Sequence, residues 1–127
     1  MLKMAHSMEA KREREMESTR TEMFRKLLQR DDTNPMVLYS LGNELFKEGR
    51  HAEARDHLQR AIEHKPDYSV AYRVLGRTHF ELGENAEARD AFERGRRVAE
   101  ANGDLQTVKE IDVFKRRLER RAAGEGS

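Results

Sequence analysis

The chain has 127 residues, of which 36% are hydrophobic and 39% are charged, a balance that favours one small, elongated domain over a compact globule. Its 25 basic and 24 acidic residues give a net charge of +1, which does not predict a whole-molecule electrostatic field for nucleic acid. The absence of cysteine excludes disulfides, thiolate metal sites and a cysteine nucleophile.

The N-terminal residues resemble no targeting segment. They lack the apolar run that a signal peptide needs, and no stretch of the chain approaches the roughly eighteen apolar residues of a membrane span. We therefore expect a cytoplasmic protein without a membrane span. Residues 1–15 alternate in charge and have nothing to bury, so this segment should project into solvent or fray.

Residues 16–34 are predicted to form a helix. Its apolar residues follow helical spacing and form a narrow stripe that can cover an apolar neighbour. They are Met16, Met23, Phe24, Leu27 and Leu28.

The next part of the chain repeats itself. Residues 35–66 align with residues 69–100 without a gap and with ten identities. In both blocks the apolar residues recur at the spacing of two helices, and alternating β-branched runs are absent. The sequence therefore predicts an all-α repeat protein.

Proline, asparagine and glycine mark the helix boundaries. Asn34-Pro35 predicts a capped helix start, and Gly49 and Gly83 predict helix stops with positive φ. Gly42 and Gly76 lie inside helices, where glycine costs about 1 kcal/mol relative to alanine. We expect each to approach small residues on the facing helix. Those residues are Ala54 and Ala61 in the first block and Ala88 and Gly95 in the second.

This pattern resembles the tetratricopeptide repeat (TPR) family, whose helix A carries a large residue, leucine, glycine and an aromatic, and whose helix B carries alanine, an aromatic, alanine and proline. In the first block these places are taken by Leu38, Leu41, Gly42, Leu45, Ala54, Leu58, Ala61 and Pro66. In the second block they are taken by Tyr72, Leu75, Gly76, His79, Ala88, Phe92 and Gly95. Glu100 replaces the closing proline, which predicts that the second helix B continues to about Asn102-Gly103.

The resemblance implies an all-α fold of antiparallel helical hairpins, stacked as a short right-handed TPR solenoid with N- and C-terminal capping helices. Phe24 precedes Leu58 by one repeat length, so the helix in 16–34 looks like the helix B of a half repeat whose helix A is missing. The predicted boundaries are 16–34 for this half repeat, 35–68 for TPR 1, 69–102 for TPR 2, 103–121 for a C-terminal capping helix and 122–127 for a disordered tail.

The C-terminal capping helix matches no repeat signature. Its sequence is similar to the last helix of small, stand-alone bacterial TPR proteins, and we expect it to cover the exposed face of TPR 2. Its predicted apolar face consists of Leu105, Val108, Ile111, Phe114 and Leu118.

No motif indicates catalysis, a cofactor or a metal site. Phosphate loops, nucleophile elbows and dinucleotide fingerprints are absent. None of the histidines has a metal-ligand spacing, and His79 is expected at the edge of the core. We therefore predict a protein that is not an enzyme and uses no cofactor or metal. The histidines are His6, His51, His57, His64 and His79.

The family resemblance also implies that the A helices line a concave groove, with six positions of each repeat facing it. Aromatic anchors beside hydrogen-bonding groups have the composition of a peptide-binding hot spot. The predicted groove residues are Met36, Tyr39, Ser40, Asn43, Phe46 and Lys47 in TPR 1 and Val70, Arg73, Val74, Arg77, Phe80 and Glu81 in TPR 2.

Two arginines within this set indicate the chemistry of a ligand. Arg73 and Arg77 are i,i+4 neighbours, so both guanidinium groups can reach one carboxylate or acidic peptide, with Asn43 beside them. The alternative is that these arginines pair with Glu44, Glu81 or a carboxylate on a flanking helix.

A second group of basic residues lies near the C-terminus. Acidic residues are interleaved with it and no stacking aromatics accompany it, so a solvated helical face is favoured over contact with RNA or an acidic membrane. Its members are Arg94, Arg96, Arg97, Lys115, Arg116, Arg117, Arg120 and Arg121.

These observations favour an adaptor or scaffold that binds a peptide or helix of a partner protein in the groove. An acidic or carboxylate group on that partner is part of the hypothesis. The alternative is a structural protein that forms homo-oligomers through its N-terminal helix or its groove. Nucleic-acid binding through the basic C-terminal helix is a distant third.

Overall fold

The computed structural model describes residues 17–124, and within that range it consists of six α-helices and no strand. The predicted projecting segment 1–15, Met16 of the predicted apolar stripe and residues 125–127 of the predicted tail lie outside the described residues. Ala122 still belongs to the last helix, just beyond the predicted end of that helix. The helices are α1 (Thr19–Arg30), α2 (Pro35–Lys47), α3 (His51–His64), α4 (Ser69–Glu81), α5 (Asn85–Asn102) and α6 (Leu105–Ala122).

The helices pack in chain order as two hairpins with a cap at each end. The most extensive contacts join α2 to α3 and α4 to α5, and α3 packs against α4 to connect the hairpins. Helix α1 packs on α2, while α6 packs on α5 and α4. The all-α prediction of stacked hairpins between capping helices is therefore confirmed.

The two hairpin turns have the same geometry. Gly49 has φ +80° and Gly83 has φ +77°, in the left-handed region that favours glycine. In the first turn the Arg50 N–H donates to the Leu45 carbonyl at 2.9 Å, and the second turn has the equivalent bond at 2.9 Å. The predicted glycine stops are thus confirmed.

The two glycines inside helices allow close packing within each hairpin. A Cβ on Gly42 would lie 2.7 Å from Leu58 Cγ, and a Cβ on Gly76 would lie 2.5 Å from Phe92 Cδ1. The prediction that small residues face these glycines is confirmed only for Ala54, whose carbonyl oxygen would lie 3.4 Å from a Cβ on Gly42; Ala61, Ala88 and Gly95 are not among the nearest neighbours. Leucine or phenylalanine fills the space instead, because it projects from the facing helix into the gap that the missing side chain leaves.

Helix α1 covers the first hairpin with only part of its predicted stripe. Phe24 and Leu28 pack against the core, whereas Met23 and Leu27 are 47% and 40% exposed. The prediction that all of these residues cover TPR 1 is therefore wrong for Met23 and Leu27. Among the described helices, α2 provides the main packing surface for α1, and Arg25 of α1 also pairs with Glu53 of α3 at 2.7 Å.

Helix α5 is longer than its counterpart in the first hairpin. It has 18 residues, whereas α3 has 14 residues. It ends at Asn102, before Gly103 with φ +71°. This agrees with the missing proline at position 100 and confirms the predicted extension.

Helix α6 begins directly after this turn. Asp104 caps it by accepting a hydrogen bond from the Thr107 N–H at 3.2 Å. Most of its predicted apolar face is buried against the second hairpin, and Phe114 is partly buried. Leu105 is 65% exposed because it lies in the first turn, so its prediction as a covering residue is wrong.

Candidate partner-binding surface

Helices α2, α4 and α6 lie side by side and form one layer of the molecule, because α4 contacts both of the others. Helices α3 and α5 pack on the opposite side of that layer. We call the side of α2, α4 and α6 that faces away from α3 and α5 the groove face. It is the surface on which the predicted groove residues are expected.

The predicted groove residues differ in their access to solvent. Met36, Lys47 and Glu81 are exposed. Val74 is 1% exposed and belongs to the core, so its prediction as a groove residue is wrong. It packs among the apolar residues of the hairpins, whereas its counterpart in TPR 1 is partly exposed. The partly buried groove residues are Tyr39, Ser40, Asn43, Phe46, Val70, Arg73, Arg77 and Phe80.

Arg77 is stacked between aromatic rings from two other helices. Its guanidinium carbon lies 4.9 Å from the ring centroid of Phe46 on α2 and 4.4 Å from that of Phe114 on α6. The guanidinium of Arg117, also on α6, lies 5.5 Å from the Phe114 ring. All three helices of the layer therefore contribute to a continuous stack of rings and cations, α2 and α4 with one side chain each and α6 with two.

Arg77 carries a positive charge that its surroundings do not fully neutralise. Within residues 17–124, no side chain forms a hydrogen bond or ion pair with its guanidinium group. Burial, and then the positive charge of Arg73, lower the pKa of Arg77 from its usual value, and the negative charges of Glu81 and Glu110 offset this only in part. The pKa of arginine is so high that the Arg77 guanidinium still carries its positive charge near neutral pH, so an anion beside it would be stabilised.

Arg73 has a partner within the chain. Its Nη1 donates to the Glu110 carboxylate on α6, while its Nε is buried and has no hydrogen-bond partner within the described part of the chain. Glu110 is also held by Gln106, whose Nε2 donates to its other carboxylate oxygen at 2.9 Å. The sequence left open whether the two arginines bind a ligand or pair with carboxylates of the chain. Pairing with a carboxylate on a flanking helix describes Arg73 but not Arg77.

Helix α6 contributes side chains that the sequence reasoning did not place on this surface. Besides Phe114 and Arg117, Arg121 lies with its guanidinium carbon 3.5 Å from the Phe80 ring centroid and donates to the Phe80 carbonyl at 2.8 Å. A signal was available: Phe114 follows Phe80 at the same interval at which Phe80 follows Phe46. The rest of the repeat signature is missing from α6, so the position of Phe114 in the repeat was not recognised from the sequence.

His79 and several members of the basic group have partners within the chain. His79 is buried, and its Nδ1 lies 2.8 Å from a Glu84 carboxylate oxygen that also neighbours Arg55. In the basic group, Arg96 pairs with Asp112 at 2.8 Å and Lys115 lies 3.7 Å from Glu93. Among residues 17–124, no three histidine or acidic side chains come together as metal ligands.

None of the helices between residues 17 and 124 is both long enough and apolar enough to cross a bilayer.

The chain is similar in sequence and in fold to known proteins. A family model described as tetratricopeptide repeat matches residues 45–110. A TPR repeat-containing protein of Pseudomonas aeruginosa is 36% identical over 99 residues, which cover 78% of this chain and 94% of that protein. A solution structure of a Bordetella parapertussis protein is 37% identical with a TM-score of 0.73, covering 87% of this chain and 95% of the other.

A more distant structural match extends the comparison of the fold. The TPR2B domain of yeast Sti1, solved in complex with pHsp70, superposes with a TM-score of 0.76. The match covers 80% of this chain and 81% of that one, at 18% identity, so it bears on the fold alone.

Proposed function

The chain belongs to the tetratricopeptide repeat family, and we propose that it is a protein-interaction module that binds a segment of a partner protein on its groove face. The family supports the general class of role, and the complex of the yeast Sti1 domain with pHsp70 is an example of that role in another protein. On this proposal the chain performs no catalysis and needs no cofactor. We place its action in the cytoplasm.

The observation that carries the proposal is the arginine at the centre of the groove face. Arg77 is stacked between Phe46 and Phe114 and has no carboxylate partner among residues 17–124. A partner that presents a carboxylate would form charge-assisted hydrogen bonds with it in a partly desolvated setting. Arg117 lies on the same stack and adds a second positive charge.

The groove face is also preorganised for binding. The two rings hold the Arg77 guanidinium in place, so little side-chain entropy remains to be lost when a ligand binds. Partly exposed aromatic rings next to the cation provide apolar contact area for the rest of the peptide. The proposed contact residues are Met36, Tyr39, Ser40, Asn43, Phe46, Lys47, Val70, Arg73, Arg77, Phe80 and Glu81, together with Phe114 and Arg117.

Quantitative affinity capture from native lysate tests this proposal. The baits are the wild-type chain, Arg77→Gln and the matched control Arg97→Gln, which removes an exposed arginine of α5. We expect proteins that are enriched by wild type and by Arg97→Gln to be depleted at least tenfold on Arg77→Gln, as loss of a charge-assisted contact requires. Equal enrichment on all three folded baits would contradict binding at the groove face.

One observation favours self-association as a second candidate. Met23 and Leu27 are exposed together on α1, whose backbone packs closely against α2 alone among the described helices. Pairing of two copies through α1 would bury both side chains. Sedimentation velocity over a wide concentration range separates the candidates: a stable dimer favours self-association, and a concentration-independent monomer favours the adaptor.

A further inference from the structure

The two arginines of the groove face differ in one respect, although they lie one helical turn apart on α4. Arg77 has no acidic partner among the described residues, whereas Arg73 donates to the Glu110 carboxylate of α6. Glu110 is itself oriented by Gln106 at 2.9 Å. Glu110 therefore pairs directly with Arg73, whereas Arg77 lies within range of the charges of Glu81 and Glu110 without a direct contact to either.

The contact between Arg73 and Glu110 leaves a donor unused. The Arg73 Nε is buried without a hydrogen-bond partner among the described residues, although a bidentate carboxylate would occupy Nε and a terminal nitrogen together. Glu110 reaches only Nη1. The arrangement resembles an anion site that is partly filled from within the chain.

We infer that Glu110 determines the ligand specificity of the groove face by masking a second anion site at Arg73. This inference rests on the proposed function. A ligand of the wild-type chain is bound through one carboxylate, at Arg77 and Arg117. With Glu110 neutralised, Arg73 becomes available, and the same surface binds a ligand that carries two carboxylates spaced to reach residues i and i+4 of a helix.

The competing explanation is that Glu110 only fastens α6 to α4. A purely structural Glu110 would change the stability of the chain and not the number of carboxylates that it binds. The distinguishing measurement is therefore the preference for a dicarboxylate over a monocarboxylate, and the distinguishing variant is one that keeps the shape of the side chain.

The experiment uses acetate and glutarate as probes at constant ionic strength, with the arginine Nε–Hε NMR signals as the readout. In the wild-type chain we expect both probes to shift Arg77 and Arg117 and to leave Arg73 unmoved, with dissociation constants within about twofold of each other per molecule, because each probe uses one carboxylate. In Glu110→Gln we expect Arg73 to shift as well. Glutarate should then bind about tenfold more tightly than acetate, as one further charge-assisted contact implies.

Two further variants keep the test decisive. The double variant Arg73→Gln/Glu110→Gln should lose the glutarate preference and retain the acetate shift at Arg77. Glu119→Gln, on the same helix but paired with Arg89 instead, should behave as wild type. Circular dichroism establishes that each variant is folded, and the wild-type prediction for Arg73 needs no variant.

The outcomes are separable. Acetate shifts at Arg77 in every chain, without a glutarate preference in Glu110→Gln, would overturn the masking by Glu110 and leave the proposed anion site standing. Shifts of Arg73 in the wild-type chain would overturn the masking in the same way. The absence of any shift at Arg77 would refute the anion site of the proposed function and the inference that depends on it.

Discussion

Replacing Gly76 by alanine tests whether close packing inside the second hairpin supports the groove face. The new Cβ would lie 2.5 Å from Phe92 Cδ1, closer still to Cε1, and 2.9 Å from Cζ. Phe92 is fully buried and stacked on Phe114 at a centroid distance of 6.3 Å, so its ring has little room to move. The substitution therefore overpacks a rigid part of the core.

The magnitude follows from two opposing effects. Overpacking of a well-filled core costs up to about 3 kcal/mol, and the higher helix propensity of alanine recovers about 1 kcal/mol. We expect Gly76→Ala to lower the free energy of unfolding by about 2 kcal/mol. For an ordered domain of this size the melting temperature should fall by roughly 8 °C.

Urea denaturation followed by circular dichroism measures this loss, and Gly42→Ala is the matched control. There the new Cβ would meet Leu58, whose branched end can rotate more readily than a ring, so the loss should be less than half as large. The reasoning would be refuted if Gly76→Ala were as stable as wild type, or if Gly42→Ala were the more damaging variant. A displaced Phe92 should also weaken the stack around Arg77 through Phe114.

Two further predictions concern stability. The hydrogen bond with His79, and then the charge of Arg55, hold the pKa of Glu84 below its usual value of 4.5. The ionised Glu84 carboxylate therefore contributes its full stabilisation above about pH 4.5, and this contribution is lost as the pH falls through the lower pKa of the folded state. In denaturant titrations, the stability difference between wild type and Glu84→Gln should shrink below about pH 4. A difference that stays constant down to about pH 2 would contradict this. Asp104→Ala removes the cap of α6 and the partner of the Ser69 hydroxyl at 2.8 Å, so calorimetry should record a loss of about 1 kcal/mol, and an unchanged melting temperature would argue against the cap.

The repeat period accounts for most of what could be predicted. Identities one repeat length apart place the helices and the two glycine turns, because these features depend on local spacing and backbone conformation. The period also places Arg73 and Arg77 on α4. It marks Phe114 as the counterpart of Phe80, but it does not reveal that Arg117 and Glu110 of α6 lie at that face, because this depends on how α6 packs.

The errors in the site have the same origin. The partner of Arg73 lies far along the chain on α6, and no spacing rule connects the two positions. Val74 is assigned to the groove by its repeat position, but burial is set by the surrounding hairpins and not by the repeat. On α1, Met23 and Leu27 are exposed because no described helix packs over them. The apolar spacing along α1 does not predict which of its residues another helix covers.

The stack formed by Phe46, Arg77 and Phe114 connects three helices through a guanidinium group that pairs directly with no acidic side chain among the described residues. An anion bound there would relieve the repulsion between neighbouring guanidinium groups and so tighten the whole layer. Binding of this kind raises the melting temperature as the ligand concentration increases above its dissociation constant. Thermal unfolding is thus a direct readout of occupancy, and a thermal-shift screen of acidic peptides can identify the sequence that binds most tightly.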